Sequence, residues 1–214
     1  MKALIIGATG ATGKDLVDII IQDPAYTELV TFVRSSSGMS HSKLTEIITD
    51  FDNLETIAAS VKGDVLFSCH GTTLKAAGSK EKQYHIDYEI PLQFAEIAKR
   101  NGVYKTVLLS AYGASAKSNI FYSQLKGKLE DSIGSLRFYE YIIFRPGMLE
   151  RKNTDRMGER MMGGLLHLLN GFGLIKKFKP LPTRVLAEKM AGVAKNTFNG
   201  TKIIALDKIA TLEI

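Results

Sequence analysis

Residues 1–23 read MKALIIGATGATGKDLVDIIIQD, and this stretch decides the fold. An apolar run at residues 3–6 stops at Gly7, with further glycines at 10 and 13. Continuous apolar runs of this length mark strands covered on both faces. Beyond the glycines, Leu16, Val17, Ile20 and Ile21 recur at helical spacing, which predicts a helix over residues 12–21. Glycines between a strand and a helix permit a tight turn, let backbone approach a diphosphate and let the helix pack on the strand. The first N–H groups of the helix and its dipole then face the anion. The spacing is GxxGxxG, not GxGxxG. A purely structural turn is the competing reading, and the β-α-β context favours the cradle.

The alternation continues along the chain. Strand patterns fall at residues 29–33, 44–49, 64–68, 106–110 and 141–145, with an edge strand at 202–206. Helical patterns fall at 54–61, 87–100, 121–133, 154–169 and 183–196, and residues 71–82 form a Gly/Ala/Lys-rich loop. This order predicts an α/β protein, a doubly wound parallel sheet of the Rossmann type. Residues 1–214 read as one domain, with a small C-terminal substrate-side cap over about residues 151–182. Met157, Met161, Met162 and Leu165 stand at helical spacing in that cap, a pattern more often core than pocket.

Composition excludes several classes. With 45% hydrophobic and 23% charged residues, the chain is not disordered, collagenous or coiled coil. The net charge is +6, but the basic residues are spread out; their densest cluster is Lys176, Lys177 and Lys179. A solvated basic face, or attraction for a phosphate-rich cofactor, explains this better than nucleic acid. Cys69 is the single cysteine, which excludes an internal disulfide, and the four histidines show no ligand spacing, so no metal site is expected. Met1 leads directly into a strand pattern, so no signal peptide is expected. The longest apolar stretch, residues 163–175, is too short to span a bilayer and contains Asn170 and four glycines. These features predict a soluble cytoplasmic protein, monomer or homodimer, without membrane insertion.

The second strand bears on the cofactor. It ends in Arg34, Ser35, Ser36 and Ser37, with no carboxylate. An acidic residue there would bind a ribose 2′-hydroxyl, whereas a guanidinium matches a 2′-phosphate. NADP(H) is therefore expected over NAD(H), against the plainer reading of Arg34 as an ordinary exposed arginine. Asp50 and Phe51 follow the third strand, where Asp50 can accept from an adenine amino group or cap the segment near Asn53. CHGTT, residues 69–73, ends the fourth strand and so faces the ligand crevice. Cys69 reads as a small buried filler more than a nucleophile. His70 can face a substrate or serve the structure.

The catalytic candidates lie in LLSAYGASAKSNIFYSQLKGKLE, residues 108–130. Tyr122 and Lys126 stand four apart, on one face of a helix, and Ser110 ends the fifth strand twelve residues before the tyrosine. Hydride transfer to a carbonyl leaves an alkoxide that needs a proton. A free tyrosine has a pKa of about 10, and a neighbouring ammonium lowers it. Tyr122 can then act as general acid, Ser110 can hydrogen-bond the carbonyl oxygen, and Lys126 can hold the nicotinamide ribose.

GATGATG, the YxxxK pair and the upstream serine resemble the short-chain dehydrogenase/reductase superfamily. CHGTT, the 108–130 stretch and FRPGMLERK (144–152) are similar to the Tat-interacting-protein oxidoreductase family, an atypical branch. The resemblance covers nearly the whole chain and is most specific over residues 69–151. It implies a Rossmann fold with NADPH along the strand ends. Gly7, Thr9, Gly10, Ala11, Thr12 and Gly13 would form the diphosphate loop, and Arg34 with the nearby serines, Ser35, Ser36 and Ser37, would take the 2′-phosphate. Asp50 and Phe51 would flank adenine. Cys69, His70, Gly71 and Thr72 would line the middle of the cofactor. Ser110, Tyr122 and Lys126 would form the catalytic set, with Pro146 and Gly147 near the nicotinamide. Where many relatives carry a catalytic asparagine, this chain has Asp87. The resulting expectation is NADPH-dependent reduction of a small carbonyl compound. The alternatives are a cofactor-binding regulatory or protein-interaction role with little turnover, and nucleotide-sugar epimerase-like activity.

Overall fold

A computed structural model describes residues 1–150 and 179–213. Seven strands form one parallel sheet: β1 (Lys2–Ile6), β2 (Glu28–Val33), β3 (Leu44–Ile48), β4 (Val65–Ser68), β5 (Lys105–Leu109), β6 (Glu140–Arg145) and β9 (Gly200–Ala205). Their order is β3-β2-β1-β4-β5-β6-β9. Two short strands, β7 (Leu149–Glu150) and β8 (Leu181–Pro182), pair separately. The main helices are α1 (Ala11–Gln22), α4 (Ile90–Arg100), α5 (Phe121–Ser135) and α6 (Thr183–Val193).

The strand pattern builds both layers. Successive side chains of β1 point to opposite faces. Ala3 and Ile5 join α1 and α6 through Leu16, Ile20, Leu186 and Met190. Leu4 and Ile6 join α4 and α5 through Phe94, Ala98, Leu129 and Ile133. Each such leucine, isoleucine, phenylalanine or methionine, fully buried, contributes about 1.5–3 kcal/mol, and each alanine less. The chain leaves β1 for β2 on one side and later β4 on the other, so the order of strand addition reverses between β1 and β4 while all strands stay parallel. In such sheets the ligand crevice lies outside the carboxyl ends of the strands at this switch point.

Three local expectations change. The stretch read as a loop over 71–82 contains two single-turn helices, α2 (Leu74–Ala77) and α3 (Lys80–Tyr84). Thr73 and Ser79 nucleate them, each side chain accepting the N–H three residues on. The helix expected from residue 87 opens instead as a π turn, His85–Glu89, before α4. Residues 54–60 form a 3₁₀ helix. The 154–169 helix, the methionine stripe and most of the 151–182 cap lie outside the described residues.

Candidate cofactor and catalytic site

Gly7 and Gly13 hold positions that no side chain fits. Gly7 has φ +78°, and a Cβ there would stand 2.5 Å from the carbonyl carbon of Cys69 on β4's exit loop. A Cβ on Gly13 would lie 2.1 Å from the Gly7 oxygen. Both obstacles are backbone and cannot move aside. Gly10 N–H donates to Gly7 O at 3.0 Å and closes the turn. The start of α1 has no side-chain cap and no acidic residue in its first turn. An uncapped helix start with this polarity suits a diphosphate, so the cradle fits the group that the sequence implies.

Two cavities lie along the strand ends, about 500 and 450 Å³, and share Gly10, Cys69, His70, Gly71 and Thr72. The larger is lined by Ala11, Thr12, Gly13, Ser110, Tyr122, Lys126, Pro146 and Gly147. The other is lined by Gly7, Thr9, Arg34, Asp50 and Phe51. Every expected site residue thus borders this crevice except Ser35, which is exposed beyond Arg34.

In the larger cavity, α5 presents Tyr122 40% exposed and Lys126 only 3% exposed, with Lys126 Nζ 5.9 Å from the tyrosine ring centre. Gly71 faces this ammonium: a Cβ there would lie 3.4 Å from Nζ. Gly127 lets residues 115–116 press against α5, since a Cβ would meet the Ser115 carbonyl carbon at 2.1 Å. Ser110 is buried, and its hydroxyl donates to Glu130. Glu130 in turn receives the Arg145 guanidinium, with Nε at 3.0 Å. A hydroxyl has one proton to give. In this arrangement Glu130 competes for the proton that was expected to reach a carbonyl oxygen.

Asp87 is fully buried on the π turn. Its Oδ1 accepts the Thr72 N–H at 2.6 Å, and its Oδ2 has no partner among the described residues. Burial raises its pKa, opposed by Lys126 and the Thr72 bond. A π turn inserts one residue and turns the side chains that follow, a device common at functional sites.

At the waist of the crevice, His70 packs against Phe51 with ring centres 5.1 Å apart and planes tilted by 54°. Burial, with Lys126 and Arg34 adding repulsion, pushes its pKa down to about 4, so it is neutral near pH 7. Burial pushes the Cys69 thiol up to about 12, which leaves it protonated and a poor nucleophile. In the second cavity Asp50 accepts the N–H groups of Asp52 and Asn53, at 3.0 and 3.4 Å, so it caps this turn while lining the crevice. Phe51, buried, adopts φ +69°, a left-handed conformation costly for an aromatic residue. His85 bridges Glu89 and Asp52 at 2.7 and 3.2 Å, and these carboxylates raise its pKa. Arg34 is exposed and forms no ion pair among the described residues.

Sequence reasoning missed Glu130, Arg145 and His85. Glu130 carried a signal: it stands four residues after Lys126 on the same helical face.

A family described as NAD(P)H-binding matches residues 7–164. The chain belongs to this NAD(P)H-binding family. Curated relatives include protein FMP52, mitochondrial, of Candida albicans, 34% identical over 94% of this chain and 90% of that protein. The protein of the same name in Saccharomyces cerevisiae is 33% identical over 74% of this chain and 71% of its own. Among solved structures, the fold resembles a UDP-glucose 4-epimerase of Thermotoga maritima, with a TM-score of 0.73 at 15% identity, covering 96% of this chain and 76% of that one. It also resembles a short-chain dehydrogenase/reductase superfamily protein of Agrobacterium tumefaciens with bound NAD, with a TM-score of 0.74 at 12% identity, covering 96% and 77%. This family member therefore carries the Rossmann-type fold that its motifs implied. The cytoplasmic expectation is overturned, since the relatives carry mitochondrial names. Among the described residues, no group of three or more His, Cys, Asp or Glu could hold a metal ion, and no helix is long and apolar enough to cross a membrane.

Proposed function

We propose that this chain is an NADPH-dependent reductase of a small carbonyl compound, with Tyr122 as its proton donor. The observation that carries this reading is the meeting of Tyr122 and Lys126 with the uncapped start of α1 in one cavity. Bound NADPH supplies hydride, a proton with two electrons, to the carbonyl carbon. Tyr122 gives its phenolic proton to the carbonyl oxygen, so the product is the neutral alcohol and the phenolate remains. The Lys126 ammonium, 5.9 Å from the Tyr122 ring centre, is placed to attract the negative charge left there. Asp87 and the Thr72 backbone it binds hold the loop that faces Lys126. Arg34, bordering the far cavity without an ion pair among the described residues, supports NADPH over NADH.

The test is NADPH consumption across an aldehyde and ketone panel by the wild-type chain and Tyr122→Phe. Turnover that survives the substitution undiminished removes Tyr122 from the mechanism. A second reading, cofactor binding with little turnover, is favoured by the Ser110–Glu130 bond, which occupies the second donor of the expected set. Tight NADPH binding without consumption of any panel member would select it. The relatives' names make mitochondria the location to test first, by cell fractionation.

A further inference from the structure

The sequence places no carboxylate at the end of the second strand, yet the fold brings one there. Glu46 lies on β3, paired in register with Thr31 of β2. Its side chain reaches the loop that follows Arg34. Ser36 Oγ donates to Glu46 Oε2 at 2.7 Å, and the Ser37 N–H donates to the two carboxylate oxygens at 3.1 and 3.3 Å. Gly38 and Met39 N–H groups then donate to Ser36 Oγ and Ser37 Oγ, both at 3.1 Å, so the loop is folded around this carboxylate. Glu46 and Ser37 share a cavity of about 280 Å³ with Thr9 of the glycine loop and Lys14. Thr9 also borders the cavity that Arg34 lines. The carboxylate therefore stands beside the same end of the crevice as the guanidinium.

The two charges have opposite consequences for a ribose. A guanidinium accommodates a 2′-phosphate, whereas a carboxylate accepts from a 2′-hydroxyl and repels a phosphate. Glu46 also occupies the serine donors that would otherwise serve a phosphate. We propose that Glu46 is a specificity-determining residue, whose charge and hold on Ser36 and Ser37 weaken binding of a 2′-phosphate while leaving a 2′-hydroxyl unaffected. Selectivity for NADPH is then the difference between Arg34 and Glu46, smaller than Arg34 alone would give. This rests on the reading that the Arg34 end of the crevice takes the adenosine ribose.

The test measures dissociation constants of NADPH and NADH for the full chain, through the cofactors' own fluorescence, since the chain has no tryptophan. Glu46→Gln keeps the shape and an acceptor oxygen but removes the charge. It is expected to bind NADPH about fivefold more tightly, the size of one screened surface charge, with NADH within about twofold of wild type. An unchanged ratio, or weaker NADPH binding by a variant with wild-type melting, overturns the proposal. Arg34→Ala is the second arm. If it loses NADPH affinity while Glu46→Gln is silent, only the Glu46 proposal fails. If Arg34→Ala changes neither constant, the NADPH reading fails, and Glu46 is judged on its own ratio. A wild-type chain that binds neither nucleotide overturns both.

Discussion

The two halves of the crevice are built differently. On the Tyr122 side, Lys126, Asp87, Ser110 and Glu130 are all at most 4% exposed, and Asp87, Ser110 and Glu130 are held by side-chain or backbone partners. On the Arg34 side, Arg34, Asp50, Asp52 and Thr9 and Gly10 of the glycine loop are exposed, and the buried lining is apolar, Phe51 with Phe32 and Val33. Buried polar groups gain strength from low dielectric and suffer when a partner is lost; exposed charges are screened. Substitutions on the first side should therefore change chemistry or folding, and those on the second should change affinity alone.

Gly13→Val should have the largest effect, because its side chain would meet the Gly7 oxygen and displace the loop that borders both cavities. Loss of detectable NADPH binding by calorimetry is expected, and binding within threefold of wild type would break the picture of the cradle. Tyr122→Phe should lower kcat by about 10²- to 10⁴-fold while the NADPH dissociation constant stays within about threefold. An equal loss in binding would move Tyr122 from chemistry to cofactor contact.

Glu130→Ala leaves the Arg145 guanidinium, 28% exposed, without its carboxylate. A loss of about 2–4 kcal/mol in urea unfolding is expected, and a loss below about 1 kcal/mol would show that the pair contributes little to the fold.

His70 gives a pH-dependent test at the boundary between the halves. Its folded pKa, about 4, lies below the ordinary 6.5. The unfolded chain therefore binds the proton first as pH falls. Stability from this group is complete above about 6.5 and is lost as pH drops towards 4, by about 1–3 kcal/mol. Urea midpoints measured from pH 7.5 to 4.5 should fall more steeply for wild type than for His70→Asn. Parallel curves would show that His70 titrates normally in the folded chain. Arg34→Ala should act on affinity alone, with about tenfold weaker NADPH binding and NADH unchanged.

The sequence made the sheet legible because both relevant periods are local. Residues 3–6 show a doubly covered strand, and Leu16, Val17 and Ile20 show the helix that covers one face. The crevice was legible because parallel strands put every β-to-α loop at one edge. Pairings across elements were not. Ser110, Glu130 and Arg145 come from β5's end, α5 and β6, and nothing in their sequence separation fixes which hydrogen bond forms. Ser36 and Ser37 looked like phosphate donors until β3 brought Glu46 against them. The π turn that carries Asp87 also escaped notice, since a one-residue insertion hardly disturbs an apolar periodicity.

The most direct measurement is deuteride transfer. NADPH carrying deuterium at nicotinamide C4 is incubated with each panel aldehyde, and the alcohol is analysed by mass spectrometry. Deuterated alcohol from the wild-type chain, with little from Tyr122→Phe at equal cofactor occupancy, is the expected result. Deuterated alcohol at equal rates from both proteins would contradict proton donation by Tyr122, and none from either under saturating NADPH would contradict reduction itself.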